Sequence, residues 1–195
     1  MAEAPSSALQ FAETDYLIRR GMLPPDLARF VAAQLRLQRT TTPRAKGDSQ
    51  VEQSFAVYGP LPSETLLEWC RPQMEAETGL RLYPTYSYAR IYDTGAELAP
   101  HIDRGHCEIS ATVCLDYRGP ANWPIFLENR RGEAIEVMLA PGDVLIYRGM
   151  VRKHWRLAYT GFWHAQCFLH YVDADGPLAE NRYGRRQGIG FPPVD

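Results

Sequence analysis

The sequence predicts a mainly β fold carried on a helical first third, and three observations point to it. Up to Gly79 the apolar residues fall into stretches with helical spacing. Beyond it come short runs of alternating polarity, punctuated by Gly and Pro turns, which indicate an all-β barrel or sandwich. The chain of 195 residues is long enough for one domain with its own core.

Composition narrows the function classes. Hydrophobic residues are 45% and charged residues 23%, the balance of an ordinary globular protein. A net charge of −2 and a pI near 6.2 argue against nucleic acid or an anionic membrane as partner. No apolar run approaches the roughly 20 residues that span a bilayer. The start, MAEAPSSALQFAETDY, has neither a basic n-region nor an apolar h-region, so no signal peptide is expected. Cys70, Cys107, Cys114 and Cys167 show no C-x-x-C spacing. The expectation is a reduced, cytoplasmic protein without structural disulfides.

In chain order, residues 1–13 are small and polar and are expected to fray. Residues 16–18 suit a short strand. Pro24-Pro25-Asp26 then opens a helix, with Pro and an acid in the first turn. Leu27, Phe30, Val31, Ala33, Leu35 and Leu37 give that helix an apolar side. Residues 39–54 are polar and carry Pro43 and Gly47, which reads as a mobile, lid-like loop. A second helix is expected over 63–78, broken or restarted at Pro72 and stopped by Gly79. The resulting division is a helical scaffold with a mobile loop (1–80), a β core (81–172) and a surface tail (173–195).

Within the β core, residues 82–92 alternate. Tyr86, Tyr88, Arg90 and Tyr92 share one side, and Ser87, Ala89 and Ile91 the other. The first face suits either the wall of a site or a half-exposed sheet. Further strands are expected over 108–115, 125–128, 134–139, 144–147, around His154, and over 162–172. Turns at Arg131-Gly132, Pro141-Gly142-Asp143, Arg148-Gly149 and Thr160-Gly161 separate most of them.

The chemistry centres on His101-Ile102-Asp103. Residues i and i+2 of an extended segment point the same way, so an imidazole and a carboxylate stand side by side. One imidazole from a distant strand, His154, completes a two-histidine, one-carboxylate set. Such a set suits non-heme Fe(II) and leaves three coordination positions open. A His-x-Asp dyad alone is a weak signal, and its surroundings decide. His106, His164 and His170 read as packing or hydrogen-bonding residues, and Cys107 and Cys114 as small buried hydrophobes. Arg182, Arg185 and Arg186 read as a solvated tail.

Five segments follow in order: Tyr88-Ala89-Arg90-Ile91-Tyr92, His101-x-Asp103, Pro141-Gly142-Asp143-Val144-Leu145-Ile146-Tyr147, His154-Trp155-Arg156 and Gln166-Cys167-Phe168-Leu169-His170-Tyr171. Together, over about residues 80–172, they resemble the Fe(II)/2-oxoglutarate-dependent oxygenases, in the prolyl-4-hydroxylase-like branch. The resemblance implies a double-stranded β-helix (jelly roll) with helices packed on one side. It implies Fe(II) on His101, Asp103 and His154, with 2-oxoglutarate and O2 as cosubstrates and ascorbate or another reductant in support. The implied reaction is hydroxylation of an unactivated C–H on a small molecule or peptide, such as an amino acid. Halogenating members lack the carboxylate that Asp103 supplies. Desaturation and cyclisation use the same machinery, and a cupin-like metal-binding jelly roll without oxygenase activity is the alternative class. The oligomeric state is open.

One departure from the family matters. Its usual Lys or Arg on the last strand, which pairs with the far carboxylate of the cosubstrate, is here His164, flanked in alternation by Phe162 and Gln166. No Lys or Arg occurs from Leu157 to Tyr171. Arg156 shares a strand face with His154. It is therefore expected to bind the 2-oxoglutarate C5 carboxylate, with Gln166 as a neutral second donor and His164 as the fallback. Tyr92 stands where the branch carries a tyrosine near the cosubstrate. Tyr88, Arg90 and Arg104 are expected to line the substrate pocket, Arg104 meeting an anionic group.

Overall fold

Two antiparallel sheets face each other, and helices cover the outer side of the larger one. The computed structural model describes residues 6–42, 47–120 and 123–192. In chain order the elements are α1 (Ser7–Thr14), β1 (Tyr16–Arg19), α2 (Pro25–Thr41), β2 (Ser54–Tyr58), α3 (Leu61–Thr78) and β3 (Leu82–Asp93). There follow β4 (Leu98–His101), β5 (Ile109–Arg118), β6 (Ile125–Glu128), β7 (Ala134–Val137), β8 (Val144–Tyr147), β9 (His154–Arg156) and β10 (Trp163–Asp173). Short 3-10 turns lie at Gly105–Cys107 and Ala179–Arg185. The larger sheet runs β1-β8-β5-β10-β3-β2 and the smaller β4-β9-β6-β7. This is a jelly roll, as the sequence predicts.

Alternation along β3 and β10 separates core from site. Ala89, Ile91, Ala165, Cys167 and Leu169 join Phe11, Val31, Leu35, Leu67 and Met74 in one buried cluster. Sheet and helices are cemented there by burial worth roughly 25 cal/mol per Å² of apolar surface. The other face pairs His164 with Tyr92, Gln166 with Arg90 and Phe168 with Tyr88 across the two strands. A second cluster holds Ile125, Leu127, Val137, Leu145 and Tyr147. A third gathers Val51, Tyr92, Leu98, Trp123 and Tyr159.

The first 80 residues depart from the expected scaffold. Residues 7–14 form a helix rather than a frayed end, because Ser6 Oγ caps Leu9 N at 3.3 Å and Phe11 is fully buried. The strands β1 and β2 both belong to the larger sheet, so this region is part of the barrel and not a separate layer. In α2 the buried residues are Ala28, Val31, Ala32 and Leu35, while Phe30 and Leu37 are exposed. The helix α3 runs unbroken through Pro72, with Leu66, Leu67, Cys70 and Met74 buried on both sides of it. Packing there outweighs the ~3 kcal/mol that an interior proline costs. Gly79 closes it in the left-handed conformation at φ 71°, as expected. The polar stretch 39–54 begins as helix and ends as strand. Residues 43–46 lie outside the described residues, and Val51 anchors the segment after them in the third cluster.

The tail also differs from a solvated one. Arg186 is buried and pairs with the buried Glu64 at 3.0 Å. The same carboxylate accepts Ser87 N and Ser87 Oγ at 2.8 Å and Gly190 N at 2.9 Å. One acid thus ties α3, β3 and the tail together. Removing one member of such a pair strands the other in low dielectric, at about 3–5 kcal/mol. Glu64→Gln is expected to lower unfolding stability by about that amount, read from the shift in urea midpoint.

Candidate active site

The strand β4 ends on His101 and β9 begins on His154, and the two residues stand opposite one another in the ladder. Their rings lie 4.2 Å apart between centroids. Each imidazole is turned by its Nδ1 proton: His101 donates to Ala99 O at 2.9 Å and His154 to Arg152 O at 3.0 Å. Both Nε2 atoms are thereby left as ligand atoms, in the tautomer a metal requires. Asp103 follows β4, and its backbone N–H donates to Gly149 O at 2.9 Å. Its Oδ1 lies 3.7 Å from His101 Nε2 and 3.6 Å from His154 Nε2. The three donor atoms fall within 4.8 Å of one another. Burial lowers the His154 pKa and favours the neutral ring.

Arg156, one step along β9 on the same face, is 2% exposed. Its Nη1 donates to Trp123 O at 3.0 Å, and its guanidinium lies 4.5 Å from the Trp123 ring centroid. Nε and Nη2 have no partner among the described residues, and no carboxylate pairs with this side chain there. A buried cation left in that condition is costly unless an anion meets it. Gln166, fully buried on β10, likewise keeps both amide atoms without a partner.

Triad and arginine open onto one cavity of about 350 Å³. Its buried part is walled by Tyr92, Thr112, Ile125, Tyr147 and Arg156, and its exposed rim includes Ile102 and Arg104.

No protein-family model matches the sequence, and no curated protein matches it. Solved structures do match the fold. A prolyl-4-hydroxylase from Pseudomonas putida is 15% identical, with a TM-score of 0.69 over 86% of this chain and 97% of that one. AviO1 from Streptomyces viridochromogenes is 20% identical, with a TM-score of 0.68 over 91% of this chain and 99% of that one. SnoN, a non-heme α-ketoglutarate-dependent epimerase of nogalamycin biosynthesis, is 16% identical, with a TM-score of 0.71 over 96% and 91% of the two chains. The fold is that of the Fe(II)/2-oxoglutarate-dependent oxygenases.

In this oxygenase fold, every site residue singled out from the sequence lines the cavity except His164 and Gln166. His164 is buried and stacked on Tyr117 at 5.2 Å, against Trp123 and Tyr159. Burial drives its pKa well below the ordinary value, so it serves as a neutral aromatic wall. Tyr88 donates to Asp48 Oδ2 at 2.5 Å. Arg90 is 2% exposed and pairs with the same carboxylate, donating also to Gln50 Oε1 at 3.2 Å. Arg104 is exposed at the rim, with Nη2 3.0 Å from the Tyr86 hydroxyl.

Several lining residues were not legible beforehand. Phe168 and His170 continue the inward row begun by His164 and Gln166, so the period of two in β10 would have found them. Asp48 and Gln50 come from the polar segment after residue 46, and no local pattern announces them.

Asp103 is held so closely that Gly149 leaves no room beside it. A Cβ there would collide with Asp103 Oδ2 and stand 2.5 Å from Cys107 O and 2.7 Å from Ser110 Oγ. Gly149→Ala is therefore expected to displace the carboxylate and weaken Mn(II) binding by roughly 10–100-fold. Anaerobic titration measures this, with circular dichroism as the check on folding.

Proposed function

We propose that this chain is a non-heme Fe(II)/2-oxoglutarate-dependent oxygenase that hydroxylates an unactivated C–H bond of a small molecule or peptide. The observation that carries the reading is the His101/Asp103/His154 donor set opening onto the same cavity as a buried arginine without an acid partner. The donor set fits iron, since both imidazoles keep Nε2 unprotonated, that of His154 meeting only the Tyr147 hydroxyl at 3.3 Å, and the carboxylate has one oxygen facing them. The cosubstrate fits Arg156, whose two unpartnered nitrogens match a carboxylate in a bidentate pair. Gln166 keeps both amide atoms unpartnered on β10, outside the residues that line the cavity.

Iron and 2-oxoglutarate, when bound, supply the oxidant by consuming O2 and releasing succinate and CO2. The chain's own part is orientation and exclusion of water. His101, Asp103 and His154 hold the metal. Arg156 anchors the far carboxylate of the cosubstrate, with Tyr92 beside it. Thr112, Ile125 and Tyr147 keep the buried wall narrow. Tyr88, Arg90 and Arg104 bound the substrate side, where Arg104 is the cation free to meet a substrate anion. Likeness to SnoN and to SnoK, a non-heme α-ketoglutarate-dependent carbocyclase, favours epimerisation or ring closure as the second reading, because substrate placement decides the outcome. A cupin-like binder without oxygenase activity would not take up 2-oxoglutarate anaerobically.

Succinate formation with Fe(II), ascorbate and a substrate panel tests the reading. His154→Ala is expected to abolish it, and an equal yield from both proteins would remove His154 from the metal site. Losing a charge-assisted pair costs on the order of 1.5–3 kcal/mol. Arg156→Met is thus expected to weaken 2-oxoglutarate binding roughly ten- to a hundredfold while metal binding persists. Arg104→Ala is expected to raise the substrate KM with little change in 2-oxoglutarate affinity.

A further inference from the structure

Beside the metal ligands lies a buried chain of groups that the proposed chemistry does not use. Ser110 Oγ stands 3.0 Å from Asp103 Oδ2, 3.0 Å from His170 Nδ1 and 3.2 Å from Cys107 O. His170 sits on β10, 6% exposed, lines the cavity, and packs against Tyr86 with ring centroids 4.8 Å apart. Asp103, Cys107 and His170 could in principle form a second donor set. However, the Cys107 sulfur is engaged by the Tyr86 hydroxyl at 3.1 Å, and Asp103 Oδ2 by Ser110. Hydrogen bonds already fill that set.

Counting protons along the chain fixes its polarity. A carboxylate in its ionised form only accepts, and a serine hydroxyl has one proton to give. The charged oxygen takes it in preference to the Cys107 carbonyl, because a charge-assisted bond is the stronger. Were the proton given to His170 instead, Ser110 Oγ and Asp103 Oδ2 would face each other as two acceptors at 3.0 Å. His170 must then donate from Nδ1 to Ser110, which leaves Nε2 bare. Burial pushes the ring's pKa down to about 4, so it carries a single proton near neutrality. Among the described residues Nε2 has no hydrogen-bond partner.

We propose that His170 is a specificity residue. Locked as the Nδ1–H tautomer through Ser110 and Asp103, it presents a neutral Nε2 acceptor to the cavity and selects substrates with an O–H or N–H donor beside the oxidised carbon. The substrate clause rests on the oxygenase reading, but the tautomer and the acceptor do not. An alcohol or a secondary amide satisfies Nε2, whereas a purely hydrocarbon or fully alkylated group leaves it buried without a partner. That omission is the kind of mismatch by which polar sites reject analogues most strongly.

The test is 15N NMR of histidine-labelled protein near neutral pH, metal-free and Zn(II)-loaded, with His170→Asn assigning the resonances. The expected spectrum shows His170 protonated at Nδ1 and bare at Nε2, and Ser110→Ala abolishes that preference. Added formamide, a small donor, is expected to move the Nε2 resonance, while dimethylformamide at equal concentration leaves it in place. A His170 protonated at Nε2, a tautomer indifferent to Ser110→Ala, or equal responses to the two amides would overturn the proposal. Failure of the iron reading would appear separately, as Zn(II) leaving the His101 and His154 signals unmoved.

Discussion

Asp103 is held through Oδ2 and its backbone N–H, and the site's geometry depends on that hold. Oδ1 faces the two imidazoles, Oδ2 accepts from Ser110, and the backbone N–H is tied to Gly149. A free carboxylate can rotate and present both oxygens to the same side. With Oδ2 held by the Ser110 hydroxyl, a metal at this site would meet Oδ1 alone. The two histidines are fixed in the same manner, each by a carbonyl two residues earlier in its own chain segment. Each of the three side chains is thus aimed by a bond made on its far side, as outer contacts would aim the ligands of a metal.

The frame that brings these ligands together reaches far from them. Asp15, just after α1, is nearly buried and collects Arg130 at 2.7 Å, Arg148 at 3.3 Å and Arg152 at 3.5 Å. The Arg130 hydrogen bond holds its carboxyl below the ordinary value. Arg152 supplies the carbonyl that orients His154, so Asp15, just after the first helix, steadies that imidazole. The N-terminal region therefore acts through this contact and through β1 as well as by covering the larger sheet.

Sequence reasoning singled out residues that the fold brings together, because its signals are local: a period of two, a His-x-Asp dyad and ordered turns. The strands 125–128 and 144–147 came out with their observed bounds for the same reason, each closed by turn residues. Failures fell where tertiary context outweighs local preference. Polar residues 7–14 form a helix because Phe11 has a core to enter, and the strand Ser54–Tyr58 forms because β3 offers an edge. Pro72 does not break α3, since flanking apolar residues hold the helix down. The role of Ser110 had no sequence signal, since it depends on three partners meeting at one hydroxyl.

Three arginines border one cavity, and their partners divide the labour among them. Arg90 is buried, yet its charge is met by Asp48, with Gln50 and the Tyr92 hydroxyl adding neutral contacts. Displacing Asp48 would leave that carboxylate searching for a cation, so an incoming anion gains little there. Arg104 is exposed and bonded to a phenol, and its charge remains available to solvent or substrate. Of the three, Arg156 is the one buried without a carboxylate partner among the described residues; the Nε of Arg90 also lacks a hydrogen bond, but its charge is met by Asp48. A charge in that position destabilises the ligand-free protein, by an amount that a carboxylate from outside would recover on binding. The cost of keeping it is therefore linked to the affinity for a dianion. His164 and Gln166 on the last strand suit that neighbour: a second buried cation beside Arg156 would repel it, and the neutral ring and amide do not.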